Sequence, residues 1–196
     1  MALISVAPAV ILNSPGHHKQ NLDVDSSEAS VTLGGLVIVI AFGVACLGFH
    51  WLSPESWFPL LDSANLAVHE AGHPLVNIFS ARATVYGGTL FQLMFPLAVT
   101  WHFYRAENAS GIAASIVWLG ENLFNIARYM ADARARLLPL VGNGEHDWAE
   151  IFSRWGVLHL DGRIAGVTRG MGVILVVGAA AWLYRRWRAD REFSAS

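Results

Sequence analysis

The sequence predicts an all-α integral membrane protein of about five spans, with one short helix at the membrane surface. Hydrophobic residues make up 54% of the 196 residues, charged residues 14%, and the mean hydropathy is +0.42. These values are far from the average of water-soluble proteins. Charge is also unevenly placed, since residues 31–104 contain only Glu55, Asp62, Glu70 and Arg82. A bilayer imposes such a distribution, because charge in its hydrocarbon core is costly.

Composition also excludes some classes of function. The formal net charge is −2, and no basic patch with interleaved aromatic residues stands apart from the membrane flanks, so nucleic-acid binding has no support. Cys46 is the only cysteine, which excludes an intrachain disulfide and a cysteine-based zinc cluster. Any metal ligands must therefore be His, Asp or Glu.

The chain divides into three regions. Residues 1–30 are expected to be a mobile, polar tail, residues 31–188 a membrane-embedded domain, and residues 189–196 a C-terminal tail. Four arginines crowd the end of the last span: Arg185, Arg186, Arg188 and Arg191. Because positive charge accumulates on the cytoplasmic side of membranes, this cluster predicts a cytoplasmic C-terminus.

Three of the five expected spans are mainly apolar. They lie at residues 31–52, 89–104 and 164–184, and the first would be about 33 Å long as a helix, which matches the thickness of the hydrocarbon core. Gly87-Gly88 is expected to make the turn before the second of these segments. The lipid bilayer is thus the first predicted partner.

The other two spans carry polar residues at helical spacing. One stripe occurs within residues 57–81 and consists of Asp62, Leu66, His69, His73 and Asn77. A second follows the apolar segment that starts at Ile112 and consists of Asn122, Asn125, Tyr129 and Asp132. Polar faces of this kind are expected to line a protein interior or a water-filled cavity. A loop at residues 137–145 then leads to a short amphipathic helix, predicted to be interfacial and to reach about residue 158.

One motif carries chemistry, the sequence His-Glu-Ala-Gly-His at residues 69–73. Its spacing places His69 and His73 one helical turn apart on one face, where two imidazoles can bind one Zn²⁺. Glu70 beside them is the predicted general base, which takes a proton from a water molecule as the water attacks a carbonyl group. A chance match in this composition has an expectation of roughly 0.01.

The third metal ligand has several candidates. His146 is preferred because Asp147 has a competing role as N-cap of the short helix, with Glu150 three residues later in the spacing of a capping box. Asp132 is an alternative, either as a ligand or as a carboxylate that orients a ligand imidazole. Asp147 itself stays open as an alternative, and so does Asp161.

Four ordered elements carry a resemblance to a family. They are His-Glu-Ala-Gly-His at 69–73, Gly-Gly-x-x-x-Gln at 87–92, Tyr-x-x-Asp-Ala-Arg at 129–134 and His-Asp-Trp at 146–148. In these the chain resembles a family of uncharacterised bacterial membrane proteins that look like zinc metallopeptidases. The resemblance implies a membrane metallopeptidase-like protein of unknown substrate, and we expect it in the bacterial inner membrane.

More distantly, the chain is similar to site-2 proteases, which carry a ligand aspartate in Leu-Asp-Gly. Leu160-Asp161-Gly162 matches those three letters, but it opens the last span without the Asn and Pro pattern of that family. Asp161 is therefore not the preferred ligand.

The leading hypothesis is a zinc metallopeptidase that hydrolyses peptide bonds of a membrane or membrane-proximal protein substrate. Two alternatives belong to other classes. One is a catalytically silent zinc-binding scaffold or regulator, in which a fourth protein ligand replaces water. The other is a small metal or solute transporter that uses the polar stripes as its pathway.

Overall fold

The computed structural model describes residues 30–52, 58–141 and 146–195, and within these ranges the chain is helical, without strands. The helices are α1 (Leu33–Leu52), α2 (Pro59–Asn77), α3 (Thr84–Arg105), α4 (Ala109–Ala131), α5 (Asp147–Arg154) and α6 (Asp161–Ser194). Short 3₁₀ turns at Ala81–Ala83 and Leu158–Leu160 precede α3 and α6. The predicted all-α class is confirmed. The tail expected at residues 1–30 lies outside the described residues except for Ser30.

Among the described residues, three helical segments are long and apolar enough to cross a membrane, in keeping with a membrane protein. They are Leu33–Leu52, Ala81–Arg105 and Leu158–Ser194. The other two expected spans form α2 and α4, which are of similar length but carry too many polar residues to join this set. The prediction of five spans is therefore not confirmed, although all of its helices are present.

Helix α4 lies at the centre of the packing. It contacts α1, α3 and α6, while α2 packs mainly on α3. One apolar core joins α1, α4 and α6 around Val117, Val176 and Leu183. A second core joins α4 and α6 to the short helix α5, whose Ile151 and Phe152 are fully buried. The amphipathic helix predicted after the loop is thus present, with its apolar face against the protein.

Helices α2 and α3 approach each other closely where two glycines meet. A Cβ atom added to Gly72 would collide with the carbonyl group of Gly87, and one added to Gly88 would collide with the imidazole of His69. Glycine is needed at these positions because only a backbone without side chains leaves room for this contact. The turn predicted at Gly87-Gly88 is therefore wrong, since both glycines lie inside α3.

The two polar stripes face each other across the α2 and α4 interface. Asn125 Nδ2 donates to Asp62 Oδ1 at 2.8 Å, and Asn65 Nδ2 donates to Glu121 Oε2 at 2.6 Å. Trp118 Nε1 completes the arrangement by donating to Asn65 Oδ1 at 2.9 Å. The prediction that these stripes face inward is confirmed for Asp62, His69 and Asn122, which are buried, whereas Asn77 at the end of the first stripe is exposed. Their hydrogen bonds offset the cost of removing the polar groups from water.

Candidate metal centre

Helix α2 places the two histidines one turn apart, and neighbouring groups fix the orientation of both rings. His73 Nδ1 lies 2.9 Å from the backbone oxygen of Thr84, and His69 Nδ1 lies 3.1 Å from Oε1 of Gln92. Because these oxygens only accept hydrogen bonds, each Nδ1 carries a ring hydrogen. Nε2 is therefore the atom of each ring that can bind a metal ion, after it loses any hydrogen of its own.

One carboxylate oxygen lies near both Nε2 atoms, in a hydrogen bond with His69 and without the alignment of one with His73. Asp147 Oδ2 lies 2.9 Å from Nε2 of His69 and 3.3 Å from Nε2 of His73. Ligands in a tetrahedron with metal bonds of roughly 2.0 to 2.1 Å are about 3.3 Å from one another. The two distances from Asp147 Oδ2 are thus close to those between ligands of one ion.

Several contacts hold Asp147 in this position. The residue is the first of α5, only 8% exposed, and its backbone N–H donates to the hydroxyl oxygen of Tyr129 at 3.1 Å. Burial on its own would raise the pKa of the carboxyl group. The hydrogen bond from His69 and the positive charge of both imidazoles outweigh burial and hold this pKa below its ordinary value. Asp147 is therefore an ionised, metal-competent carboxylate at neutral pH.

Glu70 lies between the two histidines in sequence and beside them in space. The potential ligand atoms of His69, Glu70 and His73 all lie within 4.8 Å of one another. Glu70 is half-buried and lines a cavity of about 500 Å³ between α2, α4, α5 and the segment before α5. A carboxylate at this place can exchange a proton with a molecule that occupies the cavity.

His146, the preferred third ligand of the sequence analysis, is turned away from the two imidazoles of α2. Its Nδ1 accepts a hydrogen bond from the N–H of Ala149 at 3.2 Å, which makes it the N-cap of α5. Its Nε2 lies 3.3 Å from Oδ2 of Asp132, without the alignment of a hydrogen bond. Burial lowers the pKa of the imidazole, so His146 is neutral at pH 7. The capping role predicted for Asp147 is wrong, because His146 fills it.

The other two candidates have structural partners of their own. Asp132 accepts hydrogen bonds from the backbone N–H groups of Leu137 (2.9 Å) and Leu138 (3.1 Å), and so anchors the segment that leads to α5. Asp161 is 2% exposed and lies 2.7 Å from Nε of Arg134. These contacts account for both carboxylates without a metal ion.

Three residues support the site although the sequence patterns did not predict this role for them. Gln92 holds the ring of His69, and Gly88, one helical turn earlier, leaves room for the same ring. The motif Gly-Gly-x-x-x-Gln is the signal that could have identified both, because its spacing places these residues on one face of a helix. Tyr129, noted only as part of a polar stripe, is a third such residue.

The arrangement can hold a metal ion, and it places a carboxylate and a cavity beside that ion. Nitrogen and oxygen ligands at these spacings are compatible with several divalent metals. Comparison of the chain with family models, with curated proteins and with solved structures finds no match.

Proposed function

We propose that the protein is a zinc-dependent metallopeptidase in which His69, His73 and Asp147 bind the metal and Glu70 is the general base. The observation that carries the proposal is the proximity of one buried carboxylate oxygen to the Nε2 atoms of two oriented imidazoles, with Glu70 at the adjoining cavity. Zinc suits this set because catalytic zinc sites use three protein ligands of this type and leave a fourth position open. In this proposal Asp147 takes the place first given to His146.

The chain's own residues would carry the proton transfers. Zinc, when bound, would polarise the substrate carbonyl and increase the acidity of water. Glu70 accepts a proton from the attacking water and delivers it to the amine that leaves, so the carboxylate is regenerated in each cycle. Gln92 and Thr84 keep the two imidazoles oriented throughout, because their oxygens retain the Nδ1 hydrogens.

The cavity walls indicate the class of substrate. Much of the lining beyond the metal group is apolar, from residues Leu66, Val85, Ile126, Leu138, Leu140 and Val141. Apolar side chains gain roughly 25 cal/mol per Å² when they leave water for such a surface. We therefore propose an extended segment with apolar side chains as the substrate, as occurs in membrane or membrane-proximal proteins.

The test is proteolysis by the detergent-purified protein before and after Glu70→Gln. Fluorescently labelled β-casein, an unstructured protein, is the probe, and released peptides are measured together with zinc content. We expect Glu70→Gln to lower the rate about 10²- to 10⁴-fold with zinc retained, since this is the usual contribution of a general base. Glu107→Gln, in the exposed turn after α3, is the matched control and should keep full activity. Full proteolysis by the Glu70→Gln variant would refute the mechanism.

One observation favours a second candidate, a silent zinc-binding scaffold. Glu70 lies close enough to both histidines to be a fourth ligand of the same zinc ion. Four protein ligands would leave no position for water on that ion. The same variant separates the two functions. If Glu70 is a fourth zinc ligand, Glu70→Gln should weaken zinc binding and the wild type should release no peptides.

A further inference from the structure

Tyr129 lies beside the candidate metal centre with its ring held on two sides. The ring centroid is 4.2 Å from that of His146, with the planes inclined by 30°, and 6.0 Å from that of His69 in an edge-on contact. Tyr129 is half-buried and lines the cavity. Since α4 fixes its backbone and the two rings fix its plane, the hydroxyl group has a defined position.

The hydroxyl oxygen already accepts one hydrogen bond, from the backbone N–H of Asp147 at 3.1 Å. The same residue sends its carboxylate oxygen to both imidazoles, so the hydroxyl lies at the edge of the metal group. A phenol keeps its proton at pH 7 and can donate as well as accept. Among the described residues no acceptor is found for the hydroxyl hydrogen, which leaves it available to a molecule in the cavity.

We infer that Tyr129 is a further catalytic residue, which donates its hydroxyl hydrogen bond to the substrate carbonyl oxygen as negative charge develops there. The inference rests on the proposed peptidase function. When water attacks, a carbon–oxygen bond forms, the carbonyl electron pair moves onto oxygen, and Glu70 takes the proton of the water. When the carbon–nitrogen bond breaks, the carbonyl is restored and the amine receives that proton. Tyr129 transfers no proton and stabilises only the transient oxyanion.

The experiment is Tyr129→Phe, which keeps the ring and removes only the hydroxyl group. Removal of one oxyanion donor lowers kcat about 10²- to 10³-fold, and we expect this loss on labelled β-casein with KM changed less than about threefold. Tyr104→Phe is the matched control, because Tyr104 is exposed at the end of α3, and it should keep the wild-type kcat. An unchanged kcat in Tyr129→Phe would overturn the inference while leaving the proposed function intact.

Two further readouts separate donation to substrate from mere support of Asp147. Zinc affinity, measured by competition with a chromophoric chelator, should change less than about tenfold in Tyr129→Phe. A residue that acted only by supporting a metal ligand would lower zinc affinity by about tenfold or more when it is removed. N-phosphoryl-Leu-Trp, which mimics the tetrahedral carbon, should bind the zinc-loaded variant at least about tenfold more weakly in calorimetry. If the wild type and Tyr129→Phe bound this probe with equal affinity, the inference would be overturned even without a measurement of turnover. A kcat recovered at saturating zinc would also overturn it. Failure of the proposed function would instead appear as a wild type without Glu70-dependent proteolysis.

Discussion

Asp147→Asn removes the charge from the proposed third ligand and keeps the size of the side chain. In the structure the carboxylate oxygen lies 2.9 Å and 3.3 Å from the two imidazole nitrogens, so it is close enough to share one metal ion with them. Structural zinc sites with four ligands bind with roughly 10 to 16 kcal/mol, or roughly 2.5 to 4 kcal/mol for each ligand. Because about 1.4 kcal/mol corresponds to a tenfold change, zinc affinity should fall about 10²- to 10³-fold.

His146→Asn is the matched comparison, since His146 is the rival ligand and the adjacent residue. Asparagine is a favoured N-cap, so it can replace the acceptor that His146 offers to the N–H of Ala149 and keep the start of α5. We expect its zinc affinity to stay within about tenfold of the wild type.

The assay is competition for zinc with a chromophoric chelator in detergent, with circular dichroism to verify the helical content of each variant. A His146→Asn variant that loses more zinc affinity than Asp147→Asn would refute the choice of Asp147 as the third ligand. An Asp147→Asn variant that binds zinc like the wild type would refute it as well.

The remaining predictions concern the supports of the site. Gln92→Leu should weaken zinc binding about 10- to 100-fold in the chelator assay, because an imidazole loses the acceptor that orients it. Gly72→Ala should destabilise the fold by about 1 to 3 kcal/mol and so lower the midpoint of thermal unfolding in detergent, because its Cβ would collide with a backbone carbonyl group. Gly178→Ala is the control, because a Cβ at that position meets open space and should leave the midpoint unchanged. Asp161→Asn should leave zinc content unchanged and reduce stability through the lost pairing with Arg134; loss of zinc in this variant would contradict our assignment.

The helical class and the inward-facing polar stripes were predictable from sequence for a physical reason. Long apolar segments have few alternatives to helices in a bilayer, and polar residues such as Asp62 and Asn125 at helical spacing need partners away from lipid. The number of spans was less predictable, because α2 and α4 combine spanning length with a polar face.

The two misassigned features share a cause, since one local sequence fits two geometries. Gly87-Gly88 suits both a turn and a close contact between helices, and only the position of Gly72 on α2 decides between them. His146 and Asp147 are adjacent, so a shift of one residue in the start of α5 exchanges the capping residue and the residue that faces the metal group. Sequence patterns do not locate the first residue of a helix closely enough to decide between these two. The spacing of His69 and His73, by contrast, places both on one face of a helix wherever that helix begins.

The most direct test of the central claim is the metal content of the detergent-purified protein by elemental analysis, with His69→Ala, His73→Ala and, as a control, His102→Ala measured in parallel. His102 is exposed near the end of α3 and has no part in the site. We predict about one zinc ion per chain in the wild type and in the control, and its loss in both α2 variants. A folded wild type that binds no zinc when zinc is supplied, or that retains it in both α2 variants, would contradict the account.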